Sequence, residues 1–387
     1  MEALYSIFRE LLRKTDTSFV RYLYDTIYWD ARLIAITGAR GTGKTTMILQ
    51  HIKLNGLEEQ SLYVSVDNIY FSKNNLFQLA SNFSNYGGKI LFIDEVHKYP
   101  NWSQEIKNIY DSFPEMKIVF TGSSILDLFK GFGDLSRRLI HYNLSGMSFR
   151  EYLNFEANYK IPASNLESIV NNKTDFNIDK PLFHFKNYLK KGYYPFYKEE
   201  DYNQRLSNTI NSVLEVDIPK YLELKIATID KLKLLMQIIS ESSPFKPNIS
   251  KLAELLNISR SLLPDYFIYL ERAGLINQLR NDTKGVRLLG KVQKIFLNNP
   301  NLLYVLSNDI NIGTVRETFF MNQTNFLFEN SIPNKGDFAF NNYIFEIGGV
   351  NKNNKQIKNI ENAFIVKDDI EYGFGNIIPL WHFGMLY

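Results

Sequence analysis

The chain has 387 residues, with 44 Lys or Arg against 41 Asp or Glu, a formal net charge of +3, 45% hydrophobic residues and no cysteine. Such a length suits about two or three domains, and the apolar share excludes a disordered chain. The absence of cysteine excludes disulfides and thiolate metal sites, and the small net charge does not by itself demand a nucleic-acid partner.

The chain starts with MEALYSIFRELLRK, an amphipathic stretch charged throughout. It lacks the uninterrupted apolar region of a signal peptide, and no later window has the apolar length of a membrane span. A cytoplasmic protein with no membrane partner is expected. Arg32–Thr37 then reads as a buried strand, followed by GARGTGKTT over Gly38–Thr46. This is the full G-x-x-x-x-G-K-[ST] pattern of a phosphate-binding loop opening a helix. Its glycines let successive backbone N–H groups approach phosphate oxygens. The expected nucleotide contacts are Gly38, Ala39, Arg40, Gly41, Thr42, Gly43, Lys44, Thr45 and Thr46. Lys44 would reach the β- and γ-phosphates of ATP, and the Thr45 hydroxyl would bind Mg²⁺.

Lys89–Glu95 reads as an apolar strand ending in two acids. Asp94 is expected to hold the Mg²⁺ and Glu95 to act as general base on the attacking water. A third strand begins at Lys117 and ends in Thr121, Ser123 and Ser124. If this strand lies between the other two, Thr121 or Ser123 can sense the γ-phosphate. Alternatively, Ser123 or Ser124 caps a helix over 125–129. Arg137 and Arg138 precede the last apolar strand of this region. One of them can stabilise phosphoryl-transfer charge, in cis or from a neighbouring copy, or both are solvated or bound to nearby acids.

GARGTGKTT, ILFIDEVHKYPNW, VFTGSS, LSRRL and LSGMSFREYL together resemble the AAA-type P-loop ATPases of bacteria and archaea that carry a C-terminal domain of unknown function. The resemblance implies a five-stranded parallel sheet with the sensor strand between the P-loop and Asp94–Glu95 strands. It also favours a phosphate-directed role for one of the two arginines.

Beyond residue 150 the pattern loosens into a polar stretch over 154–180. A helix stop follows around Gly192 and Pro195, and an amphipathic segment runs over 203–222. Asn248–Ile276 has the spacing of a helix-turn-helix, with helices expected over 250–256 and 261–273. Val286–Leu289 and Lys294–Leu297 are the expected wing strands. From Lys246 to Ile295 there are nine Lys or Arg and four Asp or Glu. That local excess suits DNA contact through Arg260, although a lid or protein-contact module has the same pattern.

In the last quarter, Glu317 lies on an expected helix. Asp337, a turn at Asn341-Asn342 and Glu346 make a β-hairpin. This spacing resembles the PD-(D/E)xK nuclease fold, in which such acids hold Mg²⁺. The position two after Glu346 is Gly348 where that pattern has lysine, and Lys352 can substitute only if a bend returns it. The expected role is therefore docking or stability, with Asp337, Glu346 and Glu317 a vestigial metal site. The terminal stretch from Asn376 reads as a last buried strand. The five histidines are scattered without ligand spacing.

The expected fold class is thus α/β, a P-loop NTPase sheet of AAA type followed by a helical and winged-helix region and a small α+β nuclease-like domain. The corresponding domains are 1–150, 151–240, 241–297 and 298–387. The expected function is Mg²⁺-dependent ATP hydrolysis that switches the attached modules, with DNA, a protein or a second copy of the chain as partner. The alternatives are a nucleotide-gated binding switch with little turnover and an ATP-regulated DNA nuclease.

Overall fold

Strands buried on both faces read as continuous apolar runs, and four such runs occur in the first third of the chain. In a computed structural model, which describes residues 1–122, 133, 135, 137–219, 226–281 and 292–387, they form β1 (Leu33–Thr37), β2 (Ser61–Ser65), β3 (Ile90–Asp94) and β4 (Lys117–Gly122). With β5 (Ile140–Asn143), a largely exposed edge strand, they make a parallel sheet in the order β2-β3-β4-β1-β5. The β4 strand therefore lies between β3 and β1, as the resemblance implies. Helices α1 (Glu2–Lys14), α2 (Lys44–Leu54), α3 (Leu76–Asn85) and α4 (Trp102–Ser112) accompany the sheet. On α1, Leu4, Phe8 and Leu12 recur every four residues, which places all three on one buried stripe.

Two compact units divide the chain, Met1–Gly146 and Met147–Tyr387. The first helix of the second unit, Phe149–Ala157, starts at a capping box. Ser148 Oγ accepts from the Glu151 N–H at 3.2 Å, and the Ser148 N–H donates to Glu151 Oε2 at 3.3 Å, which satisfies two buried donors. The pair expected as a helix-turn-helix forms as Ile249–Leu255 and Leu263–Arg272. The strands after it differ from expectation. The partner of β7 (Val292–Leu297) is β6 (Ile276–Asn281), directly after the second helix, and Val286–Leu289 lies outside the described residues. Ser123, Ser124 and the expected helix over 125–129 lie outside them too.

The expected tail hairpin forms from β9 (Phe338–Phe340) and β10 (Tyr343–Gly348), joined by Asn341 and Asn342 at φ 49° and 64°. Two positive-φ residues match the strand twist in such tight turns, and asparagine tolerates them better than most side chains. With β8 (Ser331–Ile332), β11 (Ala363–Lys367) and β12 (Ile377–Pro379), they join β6 and β7 in one mixed sheet, ordered β12-β11-β10-β9-β8-β6-β7. The expected division near residue 297 thus falls inside a single sheet. The helix Ile312–Asn325 covers this sheet through Phe320, whose ring lies 5.0 Å from Phe338, 5.3 Å from Phe345 and 4.7 Å from Phe383. Rings of this size dominate the burial energy of a core. Only Ile377–Pro379 of the terminal stretch is strand, and Leu380–Met385 is a buried 3-10 turn.

Candidate functional site

Because β1, β3 and β4 are parallel, their C-terminal ends gather Gly38, Asp94 and Thr121 along one edge, where open α/β sheets bind ligands. Two glycines shape the loop there. A Cβ on Gly38 would lie 2.2 Å from the Leu144 carbonyl oxygen, so no side chain fits. Gly43 has φ 94° and caps α2, leaving the first N–H groups of that helix facing the loop. Lys44 Nζ donates to the Gly38 and Ala39 carbonyls, each at 2.9 Å, and Thr42 Oγ1 donates to Ala39 at 2.9 Å. The buried Thr42 side chain therefore braces the loop, whereas Thr46 is exposed.

Arg21 had no motif to mark it. Arg21 is 4% exposed, and its guanidinium donates to the Ser145 carbonyl at 2.8 Å and to the Thr42 carbonyl. It ties the loop to the chain beyond β5.

Asp94 is the hub of the edge. Its Oδ2 accepts from Thr45 Oγ1 at 2.6 Å and from the Tyr63 hydroxyl at 2.8 Å, and its Oδ1 accepts from Thr121. Thr121 Oγ1 also accepts from the Glu95 N–H at 3.2 Å. Thr121 is fully buried and supports both acids. Its hydroxyl is engaged there, between the two acids. Tyr63 lay outside every sequence motif, since only the pairing of β2 with β3 brings it to Asp94. Burial and then the Asp94 charge push its hydroxyl far above the usual tyrosine range, so it remains a donor.

Glu95 sits at φ 58°, an uncommon conformation for a non-glycine residue and one found at functional sites. Its carboxylate pairs with Lys98, which also binds Asp67 at 2.9 Å. Burial pushes the Glu95 carboxyl up, but Lys98, His97 and Lys44 outweigh it, and the net shift is below the ordinary carboxylate value. A hydroxyl and a carboxylate 2.6 Å apart at the base of a phosphate loop are hard oxygen donors of the kind Mg²⁺ takes, so Thr45 and Asp94 fit that ion.

The arginines do not reach this edge within the chain. β5 runs parallel to β1, with Ile34 opposite Ile140 and Thr37 opposite Asn143. Arg137 and Arg138 precede β5 and so stand at the opposite end of the strands, roughly 13 Å of strand away. Arg138 binds Asp111 through two bonds of 3.1 Å, and Arg137 is exposed. Neither arginine therefore stands at the phosphate loop of its own chain.

The tail acids do converge, but as ion pairs. Lys294 on β7 lies 2.9 Å from Glu317 Oε2 and 3.8 Å from Asp337 Oδ1, and Lys352 pairs with the fully buried Glu346. Lys352 can return because residue 348 is glycine. A Cβ there would lie 2.6–2.7 Å from the Lys352 chain. Burial holds the Glu317 and Glu346 carboxyls above the ordinary range despite the lysines. Among the described residues no three His, Cys, Asp or Glu side chains are grouped so as to hold a metal ion. The acids offered as metal ligands, Asp337, Glu346 and Glu317, are thus each met by a lysine in this structure.

Residues 30–153 match the family described as AAA domain, and residues 182–311 match a domain of unknown function (DUF8612). The uncharacterized protein MJ1637 of Methanocaldococcus jannaschii is 29% identical over 315 residues, covering 74% of this chain and 66% of the relative. A second uncharacterized protein of that organism, MJ1544, is 24% identical over 306 residues, covering 74% and 65%. The chain thus matches slightly less than two thirds of the length of these relatives.

Among solved structures, the Walker-type ATPase PABY2304 of Pyrococcus abyssi aligns at 13% identity and a TM-score of 0.42, covering 72% of this chain and 91% of that one. AMPPCP-bound DnaA from Aquifex aeolicus aligns at 13% identity and a TM-score of 0.28, covering 68% and 86%. The five-stranded parallel sheet and the P-loop give the first unit the architecture of an α/β P-loop NTPase domain, and the match to the AAA domain model falls on that unit and its boundary. No helix among the described residues is long and apolar enough to cross a membrane.

Proposed function

We propose that the first unit binds ATP with Mg²⁺ and hydrolyses it. The observation that carries this reading is the approach of Thr45 to Asp94 at 2.6 Å beside Glu95. The loop N–H groups and Lys44 hold the phosphates, and Thr45 and Asp94 hold the cation, which supplies charge neutralisation at the transferred phosphoryl group. Glu95 takes a proton from the attacking water, for which its carboxylate must leave Lys98.

Steady-state ATPase and nucleotide-binding measurements test this reading. Lys44→Ala is expected to lose nucleotide binding. Glu95→Gln is expected to keep binding and lose about 10²–10⁴-fold in turnover. Wild-type turnover in Glu95→Gln would remove the base assignment, and absent turnover in the wild-type chain would favour a nucleotide-gated switch.

In the second unit, the helix pair and the β6–β7 hairpin support a winged helix that ATP turnover repositions. Arg260 is exposed in the turn before the second helix, with Lys246 and Lys251 exposed nearby, which suits an acidic partner such as DNA. ATPase rate measured with and without DNA checks this, and an unchanged rate favours a protein partner. The lysine-paired tail supports a docking or stabilising role over cleavage. Plasmid incubated with the protein, ATP and Mg²⁺ is expected to remain uncut.

A further inference from the structure

Asp94 is 4% exposed, and both of its carboxylate oxygens accept hydrogen bonds. Thr45 belongs to the loop that meets the ligand, whereas Tyr63 and Thr121 come from the flanking strands β2 and β4. Tyr63 pairs with Phe92 in the β2–β3 register, and Asp94 is two residues beyond Phe92. Side chains two apart on a strand share a face. The Tyr63 ring therefore lies along the same face as Asp94, and its hydroxyl meets Oδ2, the oxygen that also faces Thr45. A carboxylate held on one oxygen alone can swing about its last bond. Held from both sides by strands, it keeps one oxygen directed at the P-loop.

We propose that Tyr63 is a positioning residue for the metal–nucleotide complex. Its hydroxyl fixes the Asp94 carboxylate toward Thr45 and thereby sets the affinity that Mg²⁺ adds to nucleotide binding. This rests on the reading of the first unit as an ATP and Mg²⁺ site. If Asp94 merely satisfied a buried tyrosine hydroxyl, that role would not depend on the cation.

The test is calorimetric titration of the full chain with AMPPNP, once in EDTA and once in Mg²⁺, so turnover is not needed. In Tyr63→Phe the ring still fills its place. Affinity in EDTA is expected to stay within about twofold of wild type, while the Mg²⁺-dependent gain falls about tenfold, the scale of one hydrogen bond to a charged group. Asp94→Ala should lose the gain, and Tyr63→Phe combined with Asp94→Ala should lose no more, because residues acting through one another are non-additive. Thr121→Val removes the other strand-borne donor and is expected to lower the same gain. Equal losses in EDTA and Mg²⁺, no loss, or further loss in the double variant would each overturn the proposal. A wild-type chain that binds no AMPPNP in either condition would overturn the nucleotide reading itself, and is seen before any variant is compared.

Discussion

The two units each contain a cluster of carboxylates, and the clusters differ in what holds them. In the first, among the described residues, Asp94 is met by the hydroxyls of Thr45, Tyr63 and Thr121, which bring no positive charge, while Lys98 pairs with the adjacent Glu95. In the second, Glu317, Asp337 and Glu346 are met by the ammonium groups of Lys294 and Lys352. Neutral donors orient a carboxylate and leave its charge for a cation. Ammonium donors neutralise it, so the acids become part of the fold's own ion pairing. Which residue types are acidic therefore says less about a metal site than the charge of their partners.

Removing Lys294 attacks that difference most directly. Lys294→Met leaves Glu317 and Asp337 without their shared cation in a mostly buried place, and is expected to cost about 2–3 kcal/mol in denaturant unfolding. Adding Glu317→Gln should return more than half of that loss. If Lys294→Met is neutral, the tail cluster is not held by charge and the contrast with Asp94 fails.

Acid should sharpen the comparison next, because each unit contains a buried neutral imidazole. His51 stacks on Trp29 at 3.7 Å in the first unit, and burial lowers its pKa from 6.5 to about 4. Burial lowers that of His382, in the second, to about 3. Below pH 6.5 the unfolded chain binds these protons and the folded chain does not, so stability falls with pH from 6.5 down toward those values. At pH 5 the loss is about 2 kcal/mol for each histidine. Glu317 and Glu346 act in the opposite sense, since their raised carboxyls take up protons more readily when folded. Melting temperatures measured from pH 7 to pH 5 should fall, and His51→Gln and His382→Gln should each flatten the slope. A slope unchanged in both variants would place the acid sensitivity elsewhere.

The smallest effect is expected at the far end of the parallel sheet. Arg138→Ala breaks a half-exposed pair with Asp111 and should cost under about 1 kcal/mol. Nucleotide affinity of the isolated monomer should not change, whereas a loss of several-fold would bring this arginine back to the nucleotide.

Much of the first unit was legible in the chain order alone. GARGTGKTT, the apolar strands and the acids at Asp94 and Glu95 are local patterns, and each obeys a rule of backbone geometry that needs no distant partner. The same holds for the helix pair at 249–272 and for the Asn341-Asn342 hairpin. Arg21, Tyr63 and the engaged hydroxyl of Thr121 were not legible, because hydrogen bonds across strands depend on register and on which strands are neighbours. The arginines at 137 and 138 could not be placed for a related reason. Their sequence distance from the loop says nothing of which end of a parallel strand they occupy. In the tail, the spacing of Asp337 and Glu346 gave the hairpin but left the return of Lys352 open, and Lys294 came from a strand that only the shared sheet brings near.

The sequence by itself determined the phosphate loop, the acids that face it and the alternation of strand and helix, since these follow from steric and hydrophobic preferences of neighbouring residues. Tertiary structure alone decided that Asp94 is held by hydroxyls and Glu346 by a lysine that passes over Gly348. The charge around a side chain is set by whatever folding brings within a few ångströms, and that is a property of the packed chain.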